Sequence, residues 1–212
     1  MTIWDKNEEN FLAFESPPVV DYYLYVYRIT NTYKEKYAAL RKMPWGDKKG
    51  YILDEFSLLL CEVILFACMT VEAILNLIGF LQLGKVYFEK NVERCRMPQK
   101  VTMLFGLILQ ERISEKGQLA TDFKFLFNNR NRLVHAKCSP IKHGSKPKLH
   151  ELFYEHEPDP SIIEEYTGAL ERIIDRLVTL TPTKTREYLN IPNKPSEHIS
   201  KGRGQSSKNA QR

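Results

Sequence analysis

Residues 52–83 read ILDEFSLLLCEVILFACMTVEAILNLIGFLQL, and the fold follows from what this stretch is. Its length and apolar character suit a transmembrane helix. Four polar side chains argue otherwise. Glu55, Glu62, Glu72 and Asn76 fall within an arc of about 100° when each residue turns by about 100°. A single polar stripe on an otherwise apolar helix marks the central helix of a bundle, so no membrane is expected. Glu72 and Asn76, four apart, share a face. That face either meets a functional motif or partner, or is a strip turned to solvent. Gly84 can end the helix.

Outward from this helix the same three-and-four spacing recurs. Asp21 can cap a helix over residues 20–42 bearing Tyr23, Val26, Thr30, Tyr33, Tyr37 and Leu40. Its six tyrosines could be imagined as a base-stacking platform, but aromatic side chains at helical spacing are more often core, and core is the reading taken. Residues 44–50 are a turn-rich connection. Pro98 starts a helix running to about Lys116, with Gly117 at its end. From Gln118 a further helix carries Leu119, Phe123, Leu126, Phe127, Leu133 and Val134. Ser161 and Glu164 make a capping box for a last helix with Ile163, Tyr166, Leu170, Ile173, Leu177 and Leu180 on one face. Residues 138–160 read as a loop with a short strand at 149–154. Strand alternation is otherwise nearly absent. The expected class is all-α, an up-and-down bundle of about four to five main helices.

The chain has 212 residues, 43% of them hydrophobic, which suits one buried core rather than two. The organisation is an N-terminal extension at 1–19, a helical domain at 20–180, and a tail at 181–212. The tail carries seven Lys/Arg against two Glu, and beyond about Tyr188 its composition predicts disorder. Charge is unevenly placed. Residues 94–150 hold twelve basic against three acidic side chains, while 151–180 hold two against eight. A basic field of this kind suits a polyanionic partner. Cys61, Cys68, Cys95 and Cys138 form no CxxC pair and read as thiols in a reducing compartment, the cytoplasm. The first sixteen residues lack the basic and apolar regions of a secretion signal.

One stretch has catalytic character. Arg130-Asn131-Arg132-Leu133-Val134-His135 joins a permanent cation, an amide and an imidazole, which can neutralise a phosphate, orient a group and move a proton. Such a spacing arises by chance in roughly one chain in twenty of this size, so the surroundings must decide. On a regular helix Asn131 and His135 share a face. Arg130 lies about 140° from His135, with a stem long enough to reach over the same pocket.

The apolar helix with Glu72-Ala73-Ile74-Leu75-Asn76, the Pro98-Gln99-Lys100-Val101 helix, the 130–135 motif and a closing amphipathic helix together resemble the HEPN superfamily. The likeness spans about residues 20–180 in order of elements and six residues at motif level. It implies a helical bundle that dimerises with two motifs facing each other. In many members it implies a metal-independent endoribonuclease used as a toxin or antiviral effector, and with that an antitoxin or regulatory protein as partner. Other members are inactive binding or assembly modules. The implied catalytic residues are Arg130, Asn131 and His135, with RNA as substrate and with no cofactor or metal. The long loop and basic tail depart from the family's compact pattern.

The residue chemistry agrees. Cleaving RNA without metal needs a base for the 2′-hydroxyl, an acid for the leaving 5′-oxygen and positive charge on the phosphate. One His supplies one proton-transfer group, so a homodimer would complete the site. An acidic metal cluster and a phosphate-cradling Gly-rich loop are both absent from the sequence, which disfavours a metal nuclease or an NTPase.

Overall fold

The computed structural model describes residues 19–43, 48–111, 113–114, 116–134 and 158–189. Among these, seven helices and no strands are found: α1 Val19–Leu40, α2 Lys48–Leu83, α3 Lys85–Asn91, α4 Met97–Leu107, α5 Gln118–Val134, α6 Pro160–Leu180 and α7 Thr183–Leu189. They form an up-and-down all-α bundle. Residues 1–18 of the expected N-terminal extension, residues 44–47 of the expected connection, His135, Cys138, the expected strand at 149–154 and the residues beyond Leu189 lie outside the described residues, while Val19 already belongs to α1.

α2 is the spine, touching each of the other six helices. Its Val63, Ile64, Ala67, Val71, Ile74, Leu75 and Ile78 are wholly buried, each large side chain contributing about 1.5–3 kcal/mol of transfer free energy. α6 answers with Leu170, Ile173 and Leu177, and α5 with Leu126. The residues Asp54–Leu83 are long and apolar enough to cross a membrane, yet half of their most apolar window is buried inside the protein, as in a core helix. The tyrosines of α1 serve packing. Tyr23 and Tyr33 are buried, Tyr25 meets Phe66 with ring centroids 4.4 Å apart, and Tyr33 meets Phe56 at 4.7 Å.

Several boundaries depart from the sequence reading. Asp21 sits inside the first turn of α1 rather than ahead of it, where its carboxylate opposes the helix dipole. α2 begins at Lys48, so part of the expected connection is helical. α4 stops at Leu107, well short of Lys116. Its end widens as the Leu109 amide donates to Leu104 O and the Glu111 amide to Phe105 O, and Gln110 turns the chain with φ 50°. Ile108, Leu109 and Ile113 still pack on the core, so apolar spacing continues through a helix that has ended. α3 and α7 were not expected at all. α7 falls in the segment read as tail, yet Thr185 and Leu189 are buried.

α3 docks where α2 has no side chain. Gly84 ends α2 at φ 78°, a left-handed conformation that favours glycine. The chain then folds back so that Phe88 lies over Gly79, where an added Cβ would stand 2.6 Å from the Phe88 ring and 3.0 Å from Leu104. Gly79→Ala would gain about 1 kcal/mol of helix propensity, but overpacking costs about 1–3 kcal/mol. The expected outcome is a lower Tm in thermal unfolding. A raised Tm would mean that Phe88 moves aside freely.

α6 begins two residues earlier than its expected capping box. Asp159 is the N-cap and Pro160 occupies the first turn. The Asp159 carboxylate accepts from the Ser161 amide at 2.9 Å and from the Ser161 hydroxyl at 2.6 Å. Glu164 instead pairs with Lys34 of α1 at 2.6 Å. The two Ser161 bonds hold the Asp159 carboxyl below its usual pKa, so its stabilisation is full above the unfolded-state pKa and is lost as pH falls through the folded one. Asp159→Ala should therefore lower Tm at neutral pH, with the gap to the parent protein closing in acid. A pH-independent gap would contradict this.

Candidate functional site

α5 reaches the motif as a packed support. Phe123, Leu126 and Phe127 are buried, and Phe125 stacks on Tyr166 of α6 with centroids 4.5 Å apart. Asp122, 2% exposed, is gripped by Arg172 of α6 through Nε to Oδ2 at 2.9 Å and Nη2 to Oδ1 at 2.7 Å. Gln118 adds a bond to Oδ1 at 2.9 Å. This clamp and the aromatic stack fix α5 on α6, and the last turn of α5 then projects Arg130 and Asn131.

Arg130 is half-buried and Asn131 exposed, with Arg130 Nη1 donating to Asn131 Oδ1 at 3.1 Å. A guanidinium has five N–H donors, and this bond takes one. Arg130 acts on the Cys68 thiol of α2, whereas Arg132 acts on the Tyr166 hydroxyl of α6. α5 packs against both α2 and α6. Of the three candidate catalytic residues, the structure brings Arg130 and Asn131 together, and His135 is the next residue after the described end of α5.

The polar stripe of α2 is not simply turned to solvent. Glu55 pairs with Lys36 of α1 at 2.8 Å. Lys100 of α4, 1% exposed, donates to Asn76 Oδ1 at 2.8 Å and stands 3.6 Å from Glu72 Oε1. A buried ammonium costs several kcal/mol unless it is paired, and these two side chains pair it. Glu72 also acts on Cys68, raising its pKa while Arg130 lowers it; burial, the largest influence, pushes that thiol up to about 12. Cys68 is therefore an inert protonated thiol at neutral pH. Glu72, Asn76 and Lys100 form one polar cluster between α2 and α4. The sequence puts Glu72 and Asn76 on one face, to meet a motif, a partner or solvent, and gives Lys100 no role.

Among the described residues, no group of three or more His, Cys, Asp or Glu side chains could hold a metal ion. The fold and the site together define an all-α bundle with a cation and amide pair at the end of one helix. No protein-family model, curated protein or solved structure matches the chain.

Proposed function

We propose that this chain is a metal-independent endoribonuclease that acts as a symmetric homodimer, with Arg130, Asn131 and His135 of both copies forming one site. The observation that carries the reading is the placement of Arg130. Its guanidinium sits at the end of a braced helix, bonded to Asn131, and the next turn of sequence leads to His135. In the proposed reaction the 2′-oxygen attacks phosphorus and the bond to the 5′-oxygen breaks. One His135 takes the 2′-hydroxyl proton, the other protonates the leaving oxygen, and Arg130 offsets the charge gathering on the phosphate. The products are a 2′,3′-cyclic phosphate and a 5′-hydroxyl. The cellular use that the family resemblance implies, a toxin or antiviral effector acting in the cytoplasm and restrained by an antitoxin or regulatory protein, is part of the proposal.

The outward stripe of α2 supports self-association. Leu58 and Met69 are 64% and 40% exposed, and at helical spacing they lie on the same stripe as Glu72 and Asn76. Val134 at the end of α5 is 50% exposed. These exposed apolar side chains equally favour a second reading, a non-catalytic helical module that holds nucleic acid or a partner protein.

The test is incubation of the purified chain with a mixed RNA pool in EDTA, alongside its mass by light scattering. Cleavage by a dimer with cyclic-phosphate products is expected. An active strict monomer at micromolar concentration would reject the composite site. RNA binding without cleavage would select the second reading.

A further inference from the structure

α5 keeps one face out of the bundle from the Asp122 clamp to the motif. Thr121, Lys124, Asn128, Asn131 and Arg132 are all exposed, and at about 100° per residue they fall within an arc of about 100°. Phe123, Leu126 and Phe127, on the opposite side, are buried. The charge of this helix is as one-sided as its packing. Its only acid, Asp122, is 2% exposed and held by Arg172, so the exposed face carries cations, amides and a hydroxyl and no carboxylate. α6 flanks it on the side of Asp122 and Phe125 and is the opposite case, with Glu164, Glu165, Glu171 and Asp175 all exposed. A polyanion is therefore drawn to α5 and turned away from α6. Side chains four apart on the stripe are separated by about 6 Å along the axis, so Lys124 and Asn128 can meet different phosphates of one strand. The stripe also runs into the proposed site. Asn131 lies on it, and the guanidinium of Arg130, a residue on the half-buried side of the helix, is brought to it by the bond to Asn131 Oδ1 at 3.1 Å.

We propose that this face of α5 is the track on which single-stranded RNA lies as it enters the site, with Lys124 and Asn128 holding phosphates beside the one that reacts. The inference rests on the ribonuclease reading and deepens it, by assigning the surface that binds the rest of the strand. Lys124 and Asn128 touch the RNA backbone and take no part in the proton transfers. Contact to the backbone alone makes the track indifferent to base sequence.

Binding of a 2′-O-methyl RNA oligonucleotide, which lacks the attacking hydroxyl, is measured over a range of salt for the full chain and for variants at exposed helical positions, where Ala preserves the helix. Lys124→Ala should weaken binding and reduce the log-log salt slope by about 0.7, the value of one phosphate contact on a single strand. Asn128→Ala should weaken it about two- to tenfold at an unchanged slope, since a neutral donor releases no counterion. Lys90→Ala, at an exposed cation of α3, should do neither. Cleavage of the RNA pool should show a raised KM and an unchanged kcat in the two α5 variants. Unchanged slope and affinity in Lys124→Ala, or an equal fall in Lys90→Ala, would overturn the track, and with Arg130→Ala impaired the ribonuclease reading would stand. The expected binding losses in a parent chain that cleaves nothing would keep the track and reject the ribonuclease reading. Absence of RNA binding by the parent chain would overturn both.

Discussion

His135→Ala should lower EDTA-resistant RNA cleavage by about 10²- to 10⁴-fold, the usual contribution of a positioned proton-transfer group, while dimer mass and Tm stay at the parent values. The expectation follows from the arrangement at the end of α5. Asp122–Arg172 and Phe125–Tyr166 fix this helix on α6, so the support of the motif does not depend on the imidazole. If His135 instead only packs or caps its helix, the substitution moves Tm and leaves the rate per folded molecule alone. Measuring both on one preparation separates the two roles. A folded His135→Ala dimer with full activity in EDTA would remove the catalytic assignment.

Arg130 should respond differently from His135. Arg130→Ala removes charge from the transition state and from RNA binding together, so kcat and KM should both suffer. Arg130→Lys keeps the charge but loses the planar fork. Its bond to Asn131 is then no longer set by guanidinium geometry, and recovery should be partial.

How much of this was legible in the sequence differs from element to element. The helical class was plain, because apolar residues recur at three-and-four spacing through α1, α2, α5 and α6. The end of α4 was hidden by the same signal. Ile108, Leu109 and Ile113 keep the spacing and reach the core although Gln110 has already turned the chain. At α6, Asp159 and Ser161 are both good N-caps, and only Pro160 between them, suited to a first helical position, favours the former. α3 and α7 are too short for periodicity to show, and each is held by one or two buried residues, Phe88 or Thr185 and Leu189. The site was legible where residues adjoin in sequence, as Arg130 and Asn131 do. The partner of Glu72 and Asn76 was not, because Lys100 comes from another helix and lysine is among the residues least often buried.

Arg172→Ala is expected to cause a large loss of stability. Asp122 is 2% exposed and receives two bonds from Arg172, at 2.9 and 2.7 Å, and one from Gln118 at 2.9 Å. Removing the guanidinium leaves a buried carboxylate bonded to Gln118 of the same helix. For a fully buried pair that costs about 3–5 kcal/mol. The Arg172 side chain is 49% exposed, so water can enter where it stood, and about 2–3 kcal/mol is the expected cost after that discount. For a chain of this size the Tm should fall by about 4–12 °C. Arg172→Lys keeps a charge without the fork and should recover part of the loss. The double replacement Arg172→Leu with Asp122→Leu separates charge from packing. It removes both desolvated groups at once and should stand closer to the parent protein than Arg172→Ala does. If the double variant is instead the less stable of the two, the pair holds α5 on α6 by net attraction, and the argument from an abandoned buried charge fails.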